Sequence, residues 1–401
     1  MTANSPNPLR LLYTLTTYPP SVGGAQIHQH HLAQSLSNCH VQVVTHWQRN
    51  RTDWLLGTTL NAPTASQNYE IDGIPVHCLD TGWGEKLKML PYVLMYHVWM
   101  KQAVEKLSAI RLPQLDPFVS NVDLVHNVRI GREVLSYASL ELARKHDLPF
   151  VLTPVHHPRW VGWRYRLYLD IYRQADGVFT LTDAEKRILI ELGVAADKIY
   201  TIGHGPIVHE KSYPQNFREI YKVQGPMVLF LGQHYAYKGY RQLLAACEKV
   251  WQSCSNAEFV FIGPVVKSSE KAFEEYADPR IHRLGMVDLA TKTDALAACD
   301  LLCVPSSQES FGGVYTEAWS FSKPVIGCNI PAVADVIADG VDGFLVEQTA
   351  EAIAARLLDL LENPDVAQRM GQTGYQKVQQ KFSWPAIAKK VDEAYRKVLA
   401  E

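Results

Sequence analysis

LRLLYTLTTYPPSVGGAQIHQHHLAQSLSNCHVQVVTHW, residues 9–47, decides the fold. The apolar run from Leu9 to Tyr18 reads as a strand, and the Pro- and Gly-rich PPSVGG after it reads as a loop. AQIHQHHLAQSL then sets Ile27, Leu32 and Leu36 on one side of a helix. HVQVVTHW is a second strand. Strand, glycine loop, helix, strand makes one βαβ unit of a parallel sheet.

The alternation continues outward from this unit. Apolar strands are expected at 122–127, 149–154, 177–182 and 198–203. A second series opens after the polar stretch HEKSYPQNFREIYKVQG, with PMVLFLG, AEFVFIG, IHRLG, DLLCVPS, PVIGC and GFLVE as strands. GYRQLLAACEKVWQS, DLATKTDALAAC and AEAIAARLLDLLE are the helices between and after them. Two successive α/β alternations in 401 residues predict two doubly wound domains, with ligands at the carboxyl ends of the strands.

Apolar content of 47% and charged content of 20% fit a globular protein. A net charge of −2 with no long basic run argues against a nucleic-acid partner. The seven cysteines form no C-x-x-C pair, and Cys299 and Cys303 flank an apolar run as core thiols. Their odd number, with no signal peptide at the start, points to a reducing cytoplasm. The longest suspicious apolar stretch, MLPYVLMYHVWM at 89–100, is too short to cross a bilayer.

Chemistry is concentrated in SSQESFGGVYTEAW, residues 306–319. A helix is expected to start near Gly313 and carry Glu317. Its first N–H groups lack intrahelical partners and sit at the positive end of the dipole, and glycines allow an anion close to them. A carboxylate beside a phosphate is repelled, so Glu309 and Glu317 suit hydroxyl groups instead. A glycosidase dyad needs carboxyls ~5 to 9.5 Å apart, whereas eight helical steps rise about 12 Å. Two separate hydroxyl clamps fit the spacing better. Spacing alone leaves a loop acid and a solvent-facing helix acid equally open.

E-SFGGVYT-E after a strand ending in PSS resembles the E-x7-E motif of glycosyltransferase family 4, retaining enzymes with the GT-B fold. YPPSVGGAQIHQHHLAQSL, LGVAADKIYTIGHG, FLGQHYAYKGYRQLLAA, IADGVDGFLVE and FSWPAIAKKVDEAYRKVL are similar to other segments of that family, in its order. The resemblance implies two Rossmann-like domains facing a central cleft. An acceptor-side domain would span 1–205, a linker 206–225, and a nucleotide-sugar domain 226–375. A C-terminal helix, 376–401, would cross back to the first domain.

The resemblance also implies roles. Glu309 would reach hydroxyls of the donor sugar and Glu317 the ribose. The N–H groups of Phe311, Gly312 and Gly313 would hold the sugar and diphosphate, and Lys238 would bind the diphosphate. At Gln233 the family usually has arginine, so either another cation assists there, with His234 the nearest candidate, or the leaving group is less strongly held. Gly23 and Gly24 would let the first loop approach the diphosphate or acceptor, and Tyr18 would stack on the acceptor. His157, or else His156 beside it, would fill the family's histidine position near the donor sugar; His157 is favoured, His156 is otherwise placed on the acceptor side, and His126 is a weaker candidate. No D-x-D occurs, so no metal and no other cofactor is expected; the nucleotide sugar is a co-substrate.

The implied activity is hexose transfer from a UDP-sugar, or less commonly a GDP-sugar, to a glycan or lipid-linked acceptor. The leaving phosphate would take the acceptor's proton in a front-face, retaining reaction. A non-catalytic sugar-nucleotide-binding module and a GT-B epimerase or phosphorylase are the alternatives. HHPRWVGWRYRLYLDIYRQAD and MLPYVLMYHVWMKQAVEKL combine aromatic and basic residues suited to peripheral contact at the inner face of a membrane.

Overall fold

The computed structural model describes residues 7–21, 23–46, 55–128, 133–156 and 162–401. The chain divides into two compact units, Met1–Ile202 with Ile387–Glu401, and Gly203–Ala386.

The first unit holds one sheet built from β1 (Leu9–Leu15), β2 (Cys39–Thr45), β3 (Gln67–Ile71), β4 (Ile74–Cys78), β5 (Leu124–Val128), β6 (Phe150–Thr153), β7 (Gly177–Thr180) and β8 (Ile199–Thr201). Their spatial order is β3-β4-β2-β1-β5-β6-β7-β8. All neighbours run parallel except β3 and β4. β1 and β5–β7 are buried almost throughout, as expected for parallel strands covered on both faces. The helix Gly24–Ser35 connects β1 to β2.

β3 and β4 were not expected from the sequence. They form a hairpin whose turn residues, Asp72 and Gly73, have φ of 51° and 78°. Asp-Gly with two positive φ values is the signature of a tight hairpin turn.

The second unit holds a parallel sheet of β9 (Met227–Leu231), β10 (Glu258–Ile262), β11 (Ile281–Gly285), β12 (Leu301–Val304), β13 (Val325–Cys328) and β14 (Gly343–Val346). The order is β11-β10-β9-β12-β13-β14. The chain runs outward from β9 to β11, then returns to the other side of β9 with β12. That reversal creates a topological switch point between β9 and β12, open at their carboxyl ends.

The expected linker at 206–225 is different in the structure. It contains the helix Pro214–Tyr221, which packs as part of the second unit. Arg218 of this helix donates to the Ala298 carbonyl at 2.7 and 3.1 Å and to Asp300 at 2.9 Å. The units part at Ile202/Gly203 and again at Ala386/Ile387.

The terminal helix Trp384–Ala400 places its residues from Ile387 onward in the first unit. There the Tyr395 hydroxyl meets the Tyr13 hydroxyl at 2.9 Å and His126 Nδ1 at 2.6 Å, and His126 Nε2 meets Thr153 Oγ1 at 2.8 Å. Satisfied buried networks of this kind fix one packing arrangement, because each partner lost leaves a desolvated polar group. Cys299 and Cys303 lie in the core of the second unit. Among the described residues, no helix is long and apolar enough to cross a membrane.

Candidate functional site

The loops after β9 and β12 meet at the switch point. After β9 the chain makes a short 3-10 turn, Ala236–Lys238, then Gly239, then the helix Tyr240–Trp251. Gly239 has φ of 81°, and a Cβ there would come 2.3 Å from the Pro305 carbonyl oxygen. Only glycine lets this turn settle against the loop after β12. Gln348 holds the junction by donating to the Tyr237 carbonyl at 2.8 Å and the Pro305 carbonyl at 2.7 Å. The Ser307 N–H adds a bond to the Tyr237 carbonyl at 2.8 Å.

This docking brings Lys238 to Glu309. Lys238 Nζ donates to Glu309 Oε1 at 2.5 Å, with only 20% and 12% of the two side chains exposed. Glu309 stands on the loop, and the helix is Gly313–Trp319, so Glu317 alone of the two acids is helical. Gly312 has φ of 84°, where an added Cβ would strike the Tyr315 ring at 2.3 Å. Phe311 is buried and stacks on His204 at 5.7 Å, fixing the loop from below.

Glu317 is clamped separately. Lys292, on the helix Leu289–Ala298, donates to Glu317 Oε1 at 2.8 Å and to the Ile207 carbonyl at 2.7 Å. Burial raises the Glu317 carboxyl above the usual range, and Lys292 with the neighbouring Ile207 amide pulls it partly back. Its second oxygen, Oε2, is buried with no hydrogen-bond partner of ordinary geometry. The two acids therefore sit with different lysines rather than sharing one proton, as a carboxylate dyad would. Lys292 was not singled out in the sequence; its signal was a lone cation within the small-residue segment DLATKTDALAAC.

Gln233 is exposed, immediately after β9. His234 is no substitute cation. It is fully buried, its ring lies among Phe230, Tyr240 and Phe273, and neither ring nitrogen has a hydrogen-bond partner. Burial, helped by Arg283, lowers its pKa to about 4, so it is neutral at ordinary pH.

In the first unit, the corresponding switch point lies between β1 and β5. Gly23 caps the helix Gly24–Ser35 in extended backbone; a Cβ there would displace the Gln26 amide, which donates to Thr17 Oγ1 at 2.7 Å. Gly24 opens the helix with free space where a Cβ would go. Tyr18 presents no free ring face for an acceptor. It is fully buried, its hydroxyl lies 2.9 Å from His30 Nδ1, and His30 in turn holds Asp72.

His156 is also buried rather than lining a surface. Its backbone N–H donates to Glu185 Oε1 at 2.6 Å, and its ring meets Tyr172 edge-on. His157 lies outside the described residues. His126 belongs to the Tyr395 network, and burial depresses its pKa to about 3. In the segment after His157, Trp163 is exposed with Arg166 stacked 4.3 Å over it, while Leu167, Tyr168, Ile171 and Tyr172 turn inward as an ordinary amphipathic helix.

Residues 214–377 match the family described as glycosyl transferases group 1, and residues 23–205 match a glycosyl transferase 4-like domain. The chain is 30% identical over 185 residues to the phosphatidyl-myo-inositol mannosyltransferase of Mycobacterium tuberculosis, covering 44% of this chain and 49% of that protein. It is 29% identical over 191 residues to the alpha-maltose-1-phosphate synthase of the same organism, with the same coverage. The chain thus spans about half the length of the curated relatives it matches.

Among solved structures, Anabaena HepE, determined with UDP and glucose, superposes with a TM-score of 0.72 at 17% identity, covering 97% of this chain and 99% of that one. Sucrose-phosphate synthase of Thermosynechococcus elongatus gives 0.73 at 20%, covering 98% and 99%. Two adjoining domain matches, with the sheet orders of both units, place the chain in the group 1 glycosyltransferases of family 4, with the paired Rossmann-like domains of the GT-B fold.

Proposed function

We propose that the chain transfers a hexose from a nucleotide sugar to a glycan or lipid-linked acceptor, in the cytoplasm and with retention of configuration. The reading is carried by one observation, the contact of Lys238 with Glu309 at the β9/β12 switch point. Cleavage of the sugar–phosphate bond leaves negative charge on the nucleoside diphosphate, and Lys238 supplies a cation at the switch point to meet it. A preorganised donor at developing charge contributes roughly 3 kcal/mol. Glu309 then grips hydroxyls of the sugar, and Glu317, steered by Lys292, grips the ribose.

In the reaction proposed, the acceptor oxygen attacks the anomeric carbon on the face from which the diphosphate departs. The carbon–oxygen bond to phosphate breaks, and a phosphate oxygen receives the acceptor's proton. The charge is met by Lys238, by the N–H groups of Phe311, Gly312 and Gly313, and by Gln233 as a neutral donor. Gly24 leaves open space at the start of the first helix, and His157, outside the described residues, keeps the role that the family resemblance implies for it. The donor is a UDP-sugar in preference to a GDP-sugar, as supported by the UDP bound in the HepE structure. No metal or other cofactor is assigned a part.

A thermal-shift screen with UDP-, GDP- and ADP-sugars tests the reading. One nucleotide sugar should raise the melting temperature and then yield free nucleoside diphosphate in the presence of acceptor. No shift with any of them contradicts it. Product from the donor alone identifies an epimerase, dependence on free phosphate a phosphorylase, and binding without turnover a non-catalytic module.

A further inference from the structure

We propose that the helix Trp83–Met95 and the turn after it dock on an anionic lipid bilayer. At 100° per residue, Trp83, Leu87, Leu90 and Leu94 fall within an arc of about 60°. They are 79%, 72%, 40% and 72% exposed, and Val98 and Trp99, which follow the helix, are 65% and 57% exposed. The helix does not need this face to fold. Met89 and Val93, on another side, are buried with Leu107 and Val134 and anchor it to the unit. A contiguous ridge of large apolar side chains in water marks an interaction surface rather than chance exposure.

Charge and residue type select the occupant. Lys88, about 100° round the same helix from Leu87, and Lys101, just after the turn, are exposed. Lys86 holds its ammonium 5.2 Å over the Trp83 ring while donating to the Ala62 carbonyl. The neighbouring acid, Glu85, is turned to other work: it accepts from the Gly82 N–H and from Gln114. The rim facing solvent is therefore basic. Tryptophans at the two ends, leucines between and lysines at the edge are the composition of a helix lying in the headgroup layer of an anionic membrane. A two-fold contact between copies would set a lysine rim against an identical one.

This attachment is separate from the proposed chemistry, and its test uses no nucleotide. The full chain is sedimented with vesicles of phosphatidylcholine alone and of equimolar phosphatidylcholine and phosphatidylglycerol. Wild type should pellet with the anionic vesicles only, and less so as salt is raised. Leu87→Ser with Leu94→Ser should weaken pelleting at least about tenfold. Lys88→Ala with Lys101→Ala should weaken it by about fivefold per lysine, about 25-fold for the pair. Both double variants should melt at the wild-type temperature. Equal pelleting with both vesicle types, no pelleting with either, or undiminished pelleting of the variants overturns the proposal. So does a wild-type dimer that Leu87→Ser with Leu94→Ser renders monomeric while lipid binding is absent.

Discussion

Lys238 Nζ and Glu309 Oε1 stand 2.5 Å apart, although 71 residues of chain separate them. They are carried by the loops after β9 and β12, and their contact joins the two halves of the second unit's sheet at its switch point. In the free protein each neutralises the other. A bound diphosphate competes for the ammonium, and sugar hydroxyls compete for the carboxylate. The pair therefore acts as a unit. Lys238→Met and Glu309→Gln should each lower kcat by about two orders of magnitude. The double variant should cost little more than either single one. Additive losses in a double-mutant cycle on kcat would show that the two side chains work independently.

Glu317 and Lys292 should separate binding from turnover. Glu317→Ala removes the ribose clamp and should raise the donor KM, with kcat changed far less. The ionised carboxylate binds hydroxyls, and its pKa is raised by burial. Donor affinity should accordingly fall as pH drops through that raised value and recover above it. Lys292→Met removes the opposing charge, so the same profile should move to higher pH. It also strands a buried carboxylate, at a cost of about 2 kcal/mol, below the range for fully buried pairs because the lysine is partly exposed. A KM–pH profile unmoved by Lys292→Met would contradict the coupling.

His234 should prove to be a core residue. Its ring nitrogens are buried without partners among aromatic rings, so His234→Phe should stabilise the fold by about 1 kcal/mol and leave donor affinity unchanged. The pH dependence has a definite sign. A histidine whose folded pKa drops from 6.5 to about 4 contributes stability above 6.5 that is lost as pH falls toward 4. The variant should lose less stability than wild type over that window, measured by denaturant melts at each pH. Loss of donor binding in His234→Phe would restore it as a site residue.

Gly239→Ala isolates the geometry from the chemistry. The substitution changes no group that touches substrate, yet its Cβ meets the Pro305 carbonyl oxygen and its backbone is left-handed. The turn should pull away from the β12 loop and take Lys238 with it. The expected result is a stability loss of about 1 to 3 kcal/mol and a fall in kcat shown by the protein that remains folded. Full activity with unchanged stability would mean that the junction is not what places Lys238.

Most parallel strands, such as β1, β5, β9, β10 and β12, were legible because they are short apolar runs buried on both faces. The hairpin β3/β4 escaped because QNYEI is largely exposed and lacks such a run, although Asp72-Gly73 marks its turn. Residues 206–225 looked like a linker because they are polar; Arg218 and its partners Ala298 and Asp300, at and just beyond the end of the helix Leu289–Ala298, give that polarity a packing role. Glu309, Lys238 and Glu317 were readable as local motifs. Lys292 was not, because its meaning depends on a partner 25 residues away in another helix. Tyr18, His126 and His234 have the side chains of a binding site, but burial, which sequence does not display, assigns them to the interior.

The most direct test follows nucleoside diphosphate release from the nucleotide sugar that stabilises the wild-type chain, comparing wild type with Lys238→Ala. Release should fall by about a hundredfold or more in the variant, with its circular dichroism spectrum and melting temperature retained. Release at the wild-type rate from folded Lys238→Ala would contradict the claim that this ammonium receives the departing diphosphate.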